Sequence, residues 1–342
     1  MKIVIDINHP AHVHLFKYVI RELRNRGHEV IITASQKEVS FRLLDEYGFD
    51  YIKMGSYGDT LLQKLFNLFV LDFRMLRTVW KYKPDVLMGM GSFRAAHAGF
   101  LFGKKTIILD DTEHAAVEIA LYKPFATKIL TPACFMTDLG SKQVRYEGCH
   151  ELAYLHPKYF TPDPTLLDKW GVSRTEKFAV VRFVSWKASH DIGQHGFVDE
   201  QKLNFIKELA KYARPYITSE GTLPPKLEPY RLKIPVHQIH HLMAFAALYV
   251  GEGATMASES AILGVPAVYI NTLKLGYVNM HEGYGLLKQT TDTQQALRYC
   301  IEWLTDPAAK EKCRAARERL LADKIDVTDY LVNTIEQAGR PG

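Results

Sequence analysis

Residues 250–271 read VGEGATMASESAILGVPAVYIN, a pattern that predicts a strand, a glycine turn, a helix and a second strand. Gly251 and Gly253 allow the turn, because a residue without a Cβ lets the backbone bend tightly or approach another molecule. Thr255 is predicted to cap the helix and Gly264 to end it. A βαβ unit of this kind presents unpaired backbone N–H groups at the start of its helix, which is a favourable site for a phosphate.

The first residues of that helix form the predicted phosphate site, and a carboxylate lies about one turn further on. The amides involved are those of Gly253, Ala254, Thr255 and Met256. Glu259 is placed to reach the hydroxyls of a sugar beside the phosphate. The alternative is that Glu259 only stabilises the helix dipole.

Strands and helices alternate along nearly the whole chain of 342 residues. The segment Lys2–Ile7 predicts a buried strand, and a helix and a second strand follow it. Pro157, Pro162 and Pro164 interrupt the alternation and indicate a linker between domains. We therefore expect an α/β protein in which two doubly wound parallel-sheet domains face a cleft. The expected boundaries are 1–156 for the N-terminal domain, 157–176 for the linker, 177–325 for the C-terminal domain and 326–342 for a C-terminal helix and tail.

The composition is that of an ordinary globular protein, with 47% hydrophobic and 24% charged residues. The net charge of +5 suits an anionic ligand and is too small to predict binding to nucleic acid. The four cysteines show no paired or zinc-like spacing, which favours reduced thiols in a cytoplasmic protein. A strand that begins at Lys2 leaves no room for a signal peptide, and no apolar run approaches the length of a spanning helix.

Three histidines follow the first predicted strand, in the segment Asn8-His-Pro-Ala-His-Val-His14. In an open parallel sheet this loop lies at the carboxyl edge, where ligands bind. Histidine titrates near neutral pH, so His9, His12 and His14 are all candidates for a general base. The alternative is that they only hydrogen bond the backbone. The loop lacks the Gly-x-Gly-x-x-Gly pattern, which argues against a nicotinamide-dependent dehydrogenase.

Two further turns in the first half carry candidate site residues. Gly91 and Ser92 lie in a glycine turn that leads into a helix. A later turn follows the predicted strand Lys105–Leu109 and contains Asp110, Asp111, Glu113 and His114. Its side chains are candidates for holding acceptor hydroxyls, for acid–base catalysis or for binding a metal, although their spacing matches no metal motif. The alternative is that Asp111 or Thr112 caps a helix.

The loop after the first strand of the second half concentrates positive charge. It reads RFVSWKASHD over residues 182–191. The candidate donor-binding residues are Arg182, Ser185, Lys187 and His190. Arginine grips phosphate with two hydrogen bonds, so this loop complements the predicted phosphate site. The alternative is a charged surface loop.

A long predicted helix from Leu61 to Tyr82 is apolar over much of its surface and basic at its end. Such a helix can rest on an anionic membrane or receive a lipid-linked acceptor. The alternative is an ordinary packed helix with a solvated basic end.

These motifs resemble the donor site of GT-B sugar-nucleotide enzymes. The matching residues are Gly253-Ala-Thr-Met-Ala-Ser-Glu259 and Leu263-Gly-Val-Pro-Ala267. The analogues are the N-acetylglucosamine transferase that completes the lipid-linked peptidoglycan precursor, and the non-hydrolysing UDP-GlcNAc 2-epimerase. Over nearly its full length the chain is similar to a prokaryotic family of unknown function in the same superfamily.

The resemblance implies a role for each part of the site. The helix N-terminus would hold a diphosphate, and Glu259 would hold the ribose hydroxyls. His12 and Gly27 have the fifteen-residue spacing of the first loop of the transferase, which makes His12 the preferred base. The epimerase has a Gly-Thr-Arg-Pro-Glu loop where this chain has Asn8-His-Pro-Ala, and a catalytic Asp where it has Gly91-Ser92, so both departures argue against 2-epimerisation. The glycine-rich first loop of the transferase is missing as well.

The expected function is metal-independent transfer of a sugar from a nucleotide-diphosphate sugar, which is a substrate and not a cofactor. The expected acceptor is a lipid-linked molecule or a polysaccharide, reached at the inner face of the membrane. In a second hypothesis the chain is a nucleotide-sugar epimerase or hydrolase, with Asp110, Asp111 or Glu113 in acid–base roles. In a third it only binds nucleotide sugars. The sequence does not determine the sugar, the nucleobase or the oligomeric state.

Overall fold

The computed structural model describes residues 1–58, 60–183, 199–219 and 223–340, which form two compact α/β units. The first unit comprises Met1–Tyr154 together with the chain from Ile325 onward, and the second is Leu155–Lys324. Neighbouring strands within each sheet run parallel. The predicted α/β class with two parallel sheets is therefore confirmed.

The sheet of the first unit has seven strands in the order β3-β2-β1-β4-β5-β6-β7. They are β1 (Lys2–Ile7), β2 (Glu29–Ser35), β3 (Ile52–Gly55), β4 (Val86–Met90), β5 (Lys105–Leu109), β6 (Lys128–Pro132) and β7 (Gln143–Tyr146). The helices are α1 (Pro10–Asn25), α2 (Ser40–Glu46), α3 (Leu61–Tyr82), α4 (Phe93–Leu101), α5 (Ala116–Tyr122) and the short α6 (Leu152–Leu155) at the boundary of the unit. The strand order reverses between β1 and β4, and such a switch point opens a crevice at the carboxyl ends of the two strands.

The sheet of the second unit has five strands in the order β12-β11-β10-β8-β9. They are β8 (Phe178–Arg182), β9 (Arg214–Ile217), β10 (Leu248–Gly251), β11 (Ala267–Ile270) and β12 (Leu287–Thr290). The helices are α7 (Thr165–Lys169), α8 (Asp199–Leu209), α9 (Ile239–Phe245), α10 (Ala254–Ile262), α11 (Gly276–Gly283), α12 (Thr293–Thr305) and α13 (Ala309–Asp323), with 3-10 turns at Pro225–Tyr230 and Val236–Gln238. Here the order reverses between β8 and β10.

The last helix, α14 (Val327–Ala338), packs against the first unit instead of the second. Its buried side chains Val327, Leu331, Val332 and Ile335 complete the helical layer beside α1. At the rim, Arg26 donates hydrogen bonds to Asp329, Asn333 and Glu336.

The segment predicted as a linker, 157–176, lies inside the second compact unit. The backbone N–H of Asp163 donates to His241 Nδ1 at 3.0 Å, and the ring of Phe160 packs on that of His241 at 4.8 Å. This segment therefore packs against α9 of the second unit.

One predicted helix cap was wrong, and the alternative role of Asp111 or Thr112 as a helix cap is not observed. The N-cap of α10 is Gly253, so Thr255 lies inside the first turn. The helix after the acidic turn begins only at Ala116, with Ala115 as its N-cap, because Asp111 and Thr112 are drawn into side-chain contacts at the end of β5. The sequence also gave no indication of α11 and β12.

Candidate functional site

The switch point of the first sheet is built on a buried ion pair. Arg94, in the first turn of α4, donates from Nε to Asp6 Oδ2 at 2.8 Å and from Nη2 to Asp6 Oδ1 at 2.6 Å. Both side chains are fully buried. Thr33 and Ser92 also donate to Asp6, at 2.6 and 2.5 Å. The carboxyl ends of β1, β2 and β4 are thus joined through one carboxylate.

The same arginine reaches the histidine loop. Its Nη2 donates to Asn8 Oδ1 at 2.5 Å, and its Nη1 donates to Ser35 Oγ at 2.7 Å. Asn8 begins the loop that contains the histidines, so Arg94 fixes where that loop leaves β1. The sequence analysis missed both Asp6 and Arg94. The available signals were a charged residue inside an otherwise apolar strand and a cation in the first turn of a helix, where the dipole disfavours it.

Ser92 and Gly91 have structural roles at this switch point. Ser92 is the N-cap of α4, and its Oγ accepts from the N–H of Ala95 at 3.2 Å while it donates to Asp6. Gly91 adopts a φ of 54°, a left-handed conformation that glycine takes without steric cost. The turn therefore positions the loop after β1.

The three histidines occupy different environments. His14 is buried, with Nδ1 3.2 Å from the hydroxyl of Tyr47 and its ring stacked on Tyr154 at 5.5 Å. His9 is the N-cap of α1, and its Nδ1 accepts from the N–H of Ala11 at 3.2 Å. His14 and His9 thus support the packing and the start of α1.

His12 is mostly buried at the start of α1. Its Nδ1 accepts from the backbone N–H of Asn8 at 3.3 Å. Burial, together with the nearby His9 and Lys37, lowers the pKa of His12 well below its ordinary value of 6.5. His12 is therefore neutral at pH 7, and in this geometry its proton resides on Nε2.

Asp110 and Asp111, at the end of β5, have opposite protonation preferences. Asp110 is buried and accepts from the Tyr122 hydroxyl at 2.5 Å and the Thr112 N–H at 2.9 Å. Burial outweighs these hydrogen bonds and raises the pKa of Asp110 to about 7. A carboxyl group that is partly protonated at neutral pH can act as an acid or as a base.

Asp111 forms an ion pair with His150, whose Nδ1 lies 3.0 Å from Asp111 Oδ2. Burial opposes ionisation of both groups, but the mutual attraction prevails. The pKa of Asp111 is therefore lowered below 3.8, and the pKa of His150 is raised above 6.5. The sequence analysis did not single out His150, although it lies in the segment that ends the first domain. Glu113, also in this turn, accepts from the N–H of Met136 at 3.2 Å.

The switch point of the second sheet carries the glycine turn and the start of α10. A Cβ at Gly251 would lie 2.7 Å from the carbonyl oxygen of Arg182 and 2.6 Å from the Tyr249 hydroxyl, which explains the glycine. The N-cap Gly253 has no side chain to bond the first N–H groups of α10, and the first turn contains no acidic residue. Residues 253–256 are partly exposed. The helix start therefore has the character of an anion site.

Arg182 ends β8, and its guanidinium donates to the carbonyl oxygen of Thr218. This contact directs Arg182 along the carboxyl edge of the sheet. The other predicted donor-binding residues of this loop, Ser185, Lys187 and His190, lie outside the described residues.

Glu259 lies in the second turn of α10 and is almost completely buried. Its Oε1 is 2.9 Å from Nε2 of His240, which is also buried and comes from α9. At the preceding position of α10, Ser258 Oγ is 2.7 Å from Nε2 of His281. Burial lowers the pKa of His281 to about 3, so that ring is neutral. Sequence analysis located Glu259 but missed His240.

Two features are absent from the part of the chain that the structure describes. No three His, Cys, Asp or Glu side chains in the described ranges stand close enough together to hold a metal ion. No helix within the same part of the chain is long and apolar enough to span a bilayer.

A family model described as protein of unknown function (DUF354) matches residues 1–336, and the chain belongs to that family. It is similar to an uncharacterized protein of Methanocaldococcus jannaschii, with 25% identity over 77% of this chain and 80% of the relative.

Solved structures share the architecture at low sequence identity. UDP-GlcNAc 2-epimerase from Neisseria meningitidis bound to UDP-GlcNAc superposes with a TM-score of 0.70 and 14% identity, over 98% of this chain and 100% of the other. The spinosyn rhamnosyltransferase SpnG complexed with thymidine diphosphate gives a TM-score of 0.65 and 15% identity, over 98% and 100%. The chain therefore has the GT-B fold of these enzymes, as expected from its motifs.

Proposed function

We propose that this member of the DUF354 family transfers a sugar from a nucleotide-diphosphate sugar to a glycan or lipid-linked acceptor without a metal ion. One observation carries the proposal. The uncapped start of α10 and the buried Glu259 stand at the switch point of the second sheet. This is the edge at which open α/β sheets bind ligands. Proteins of the same fold have been solved with UDP-GlcNAc and with thymidine diphosphate.

The second unit would bind the donor. The backbone N–H groups of Gly253, Ala254, Thr255 and Met256 would hold the diphosphate, and Arg182 would add positive charge beside it. As the glycosidic bond breaks, its electron pair leaves with the diphosphate, so donors already aimed at that oxygen stabilise the transition state. Glu259 would hold the ribose hydroxyls, with His240 fixing the carboxylate. Ser185, Lys187 and His190 are proposed to assist this binding.

The first unit would activate the acceptor. In an inverting transfer, His12 takes the proton of an acceptor hydroxyl while the oxygen attacks the anomeric carbon. The lowered pKa of His12 supports this role in one respect, because a base must be unprotonated before it reacts. His9, His14, Gly91 and Ser92 would serve by shaping the loop and the turn around His12.

The tautomer of His12 adds a condition to this role. The Asn8 N–H bonds Nδ1 in the structure, so Nε2 carries the proton and acts as a donor. Base catalysis through Nε2 requires the ring to give up this 3.3 Å contact and shift its proton to Nδ1. The contact is longer than the usual range of about 2.7–3.2 Å for an N–H donor.

Asp110 supports a second candidate function, acid–base chemistry on the sugar itself. Its pKa of about 7 suits a group that both removes and returns a proton. An epimerase or hydrolase of nucleotide sugars would use Asp110 in this way, with Asp111 or Glu113 assisting. The two departures from the epimerase loops, at Asn8-His-Pro-Ala and Gly91-Ser92, place this candidate second.

We also propose that the acceptor lies at the inner face of a membrane. A lipid-linked or polysaccharide acceptor at the inner face of a membrane would require the protein to make peripheral contact with that membrane.

Incubation with a panel of UDP- and TDP-sugars tests the reaction. We expect release of the nucleoside diphosphate that depends on an added acceptor extract, together with a glycosylated product. An altered sugar without any acceptor would favour the epimerase. Binding of the nucleotide sugar without turnover under either condition would leave only the third hypothesis, in which the chain binds nucleotide sugars without reaction.

A further inference from the structure

The long helix α3 exposes a row of aromatic side chains. Phe66, Phe69, Phe73 and Trp80 are 68%, 75%, 67% and 68% exposed. Their spacing places them on one side of the helix. The opposite side, with Leu71, Met75 and Val79, is buried in the core of the first unit. We refer to the row of four aromatic residues as the aromatic face.

Exposed apolar residues also lie at the end of the neighbouring helix α4. Phe100 is 62% exposed, Leu101 66% and Phe102 39%. The two helices pack together, and His97 Nδ1 of α4 lies 2.9 Å from Asp72 Oδ2 of α3. A soluble domain rarely leaves so many large apolar side chains on one pair of helices without a partner.

The charge around the aromatic face is mainly positive. Residues 61–109 contain eight Lys or Arg and two Asp. One of the eight, Arg94, is buried against Asp6, which leaves seven cations and two acids, a net charge of +5 that equals that of the whole chain. Arg77 is exposed on the aromatic face between Phe73 and Trp80, and Lys81 and Lys83 are exposed at its end. Lys105 is exposed just beyond the apolar end of α4. Of the two acids, Asp72 is paired with His97.

We propose that the aromatic face of α3, with the end of α4, is a docking surface for an anionic lipid bilayer. Aromatic side chains partition into the interface between headgroups and acyl chains, while flanking cations bind anionic headgroups. A helix of 22 residues lying flat would extend over about 33 Å of the bilayer surface. The cations favour this occupant over a second copy of the chain, because two such basic faces would repel each other.

Flotation with lipid vesicles tests the proposal without any enzymatic turnover. The full chain is mixed with vesicles of phosphatidylglycerol and phosphatidylcholine, or of phosphatidylcholine alone. We expect it to float with the anionic vesicles, and the bound fraction to fall as salt is raised. Phe69→Ser with Phe73→Ser should lower the partition coefficient by about tenfold or more on both vesicle types.

Charge reversal separates the electrostatic contribution of the cations from the apolar contribution of the aromatic side chains. Arg77→Glu with Lys81→Glu should weaken binding by about tenfold or more on anionic vesicles and have little effect on neutral ones. Lys310→Glu with Arg314→Glu, a matched change on the exposed surface of α13, should bind like the unmodified chain. Tyr212→Ser, at an aromatic residue 40% exposed in the second unit, is the matched control for the phenylalanines.

Three results would overturn the proposal. They are a chain that does not float, a double phenylalanine variant that floats as well as the unmodified chain, and a dimer in size-exclusion chromatography that the same variant converts to a monomer. Thermal unfolding of each variant shows that the fold is intact. The surface rests on the proposed function only through the membrane contact included there. Because flotation requires no nucleotide sugar, its failure would remove that membrane contact and leave the sugar transfer itself to be tested separately, and a missing reaction would leave this surface untouched.

Discussion

Arg94 and Asp6 form a bidentate ion pair in which neither side chain reaches solvent, at the point where the first sheet reverses its strand order. The pair lies directly beneath the loop that carries His12, and Arg94 also holds Asn8 in that loop. The geometry of the proposed acceptor side thus depends on a contact between two residues that have no part in the proposed binding or reaction.

Replacing Arg94 by Met should destabilise the protein by about 3–5 kcal/mol, because it leaves the Asp6 carboxylate buried without its partner. Urea denaturation measures the change. Asp6→Leu combined with Arg94→Met should cost less than the sum of the two single changes. Arg26→Met, which removes a partly exposed arginine that also pairs with carboxylates, is the control and should cost about 1 kcal/mol or less. Equal losses at the two arginines would contradict the role of the buried pair.

Asp110 should make the protein less stable as pH rises from about 4 to about 7. Its pKa is raised to about 7 in the folded chain, from an ordinary 3.8, so the folded state binds a proton that the unfolded state has lost in this window. The decline should amount to about 2–4 kcal/mol. Asp110→Asn should remove this decline in stability with rising pH.

The stability that His150 contributes also decreases as pH rises, but in a higher pH range. Its pKa is raised above 6.5, so the stability it contributes is complete below 6.5 and is lost as pH rises through the folded pKa. Asp111 behaves oppositely, because its lowered pKa gives stability that is lost only in acid below 3.8. Unfolding by urea at a series of pH values separates these contributions. A stability curve for Asp110→Asn that still falls between pH 4 and 7 would contradict the assignment.

Glu259→Ala should weaken the binding of UDP or TDP by about 1–3 kcal/mol, whichever is bound by the unmodified chain, because it removes the proposed ribose ligand. His240→Gln should weaken it less, since the carboxylate remains but loses the contact that positions it. Ser258→Ala breaks the adjacent buried contact to His281 and is the matched control. It should affect stability but not affinity. Titration calorimetry measures the affinity of each variant for the nucleotide. An unchanged affinity in Glu259→Ala would remove this residue from the site.

His12→Gln should lower turnover by about 10²–10⁴-fold and leave donor affinity nearly intact. Since the pKa of His12 lies well below 6.5, the rate of the unmodified chain should stay level from pH 8 to 6.5 and decline only in more acidic solution. An activity that already halves near pH 7 would point to another group, and Asp110 would be the first to examine. His14→Gln should affect stability much more than turnover, because His14 is buried against Tyr154.

Patterns within one segment were predictable from the sequence, and contacts between distant segments were not. The bounds of α3, β5 and β11 follow from local periodicity and flanking prolines or glycines, and the structure reproduces them. The positions of Glu259 and Arg182 at the carboxyl edge of their sheet follow from the same reasoning.

The residues that were missed pair across long stretches of chain. Arg94 meets Asp6, which is 88 residues away, and His150 meets Asp111 although α5, β6 and β7 lie between them in the chain. His240 and Glu259 come from different helices that are separated by β10. A single sequence shows which side chains are charged but not which of them meet when the strands assemble.

The return of α14 to the first unit has a consequence for biosynthesis. Val327, Leu331, Val332 and Ile335 contribute fully buried side chains to the first unit, yet they follow the whole second unit in the chain. The N-terminal 154 residues therefore emerge with an uncovered apolar strip beside α1, and they must wait for the entire second unit to be synthesised before it is covered. A fragment that stops before Ile325 should be prone to aggregation, and an ordinary truncation at the apparent domain boundary would give an incomplete domain.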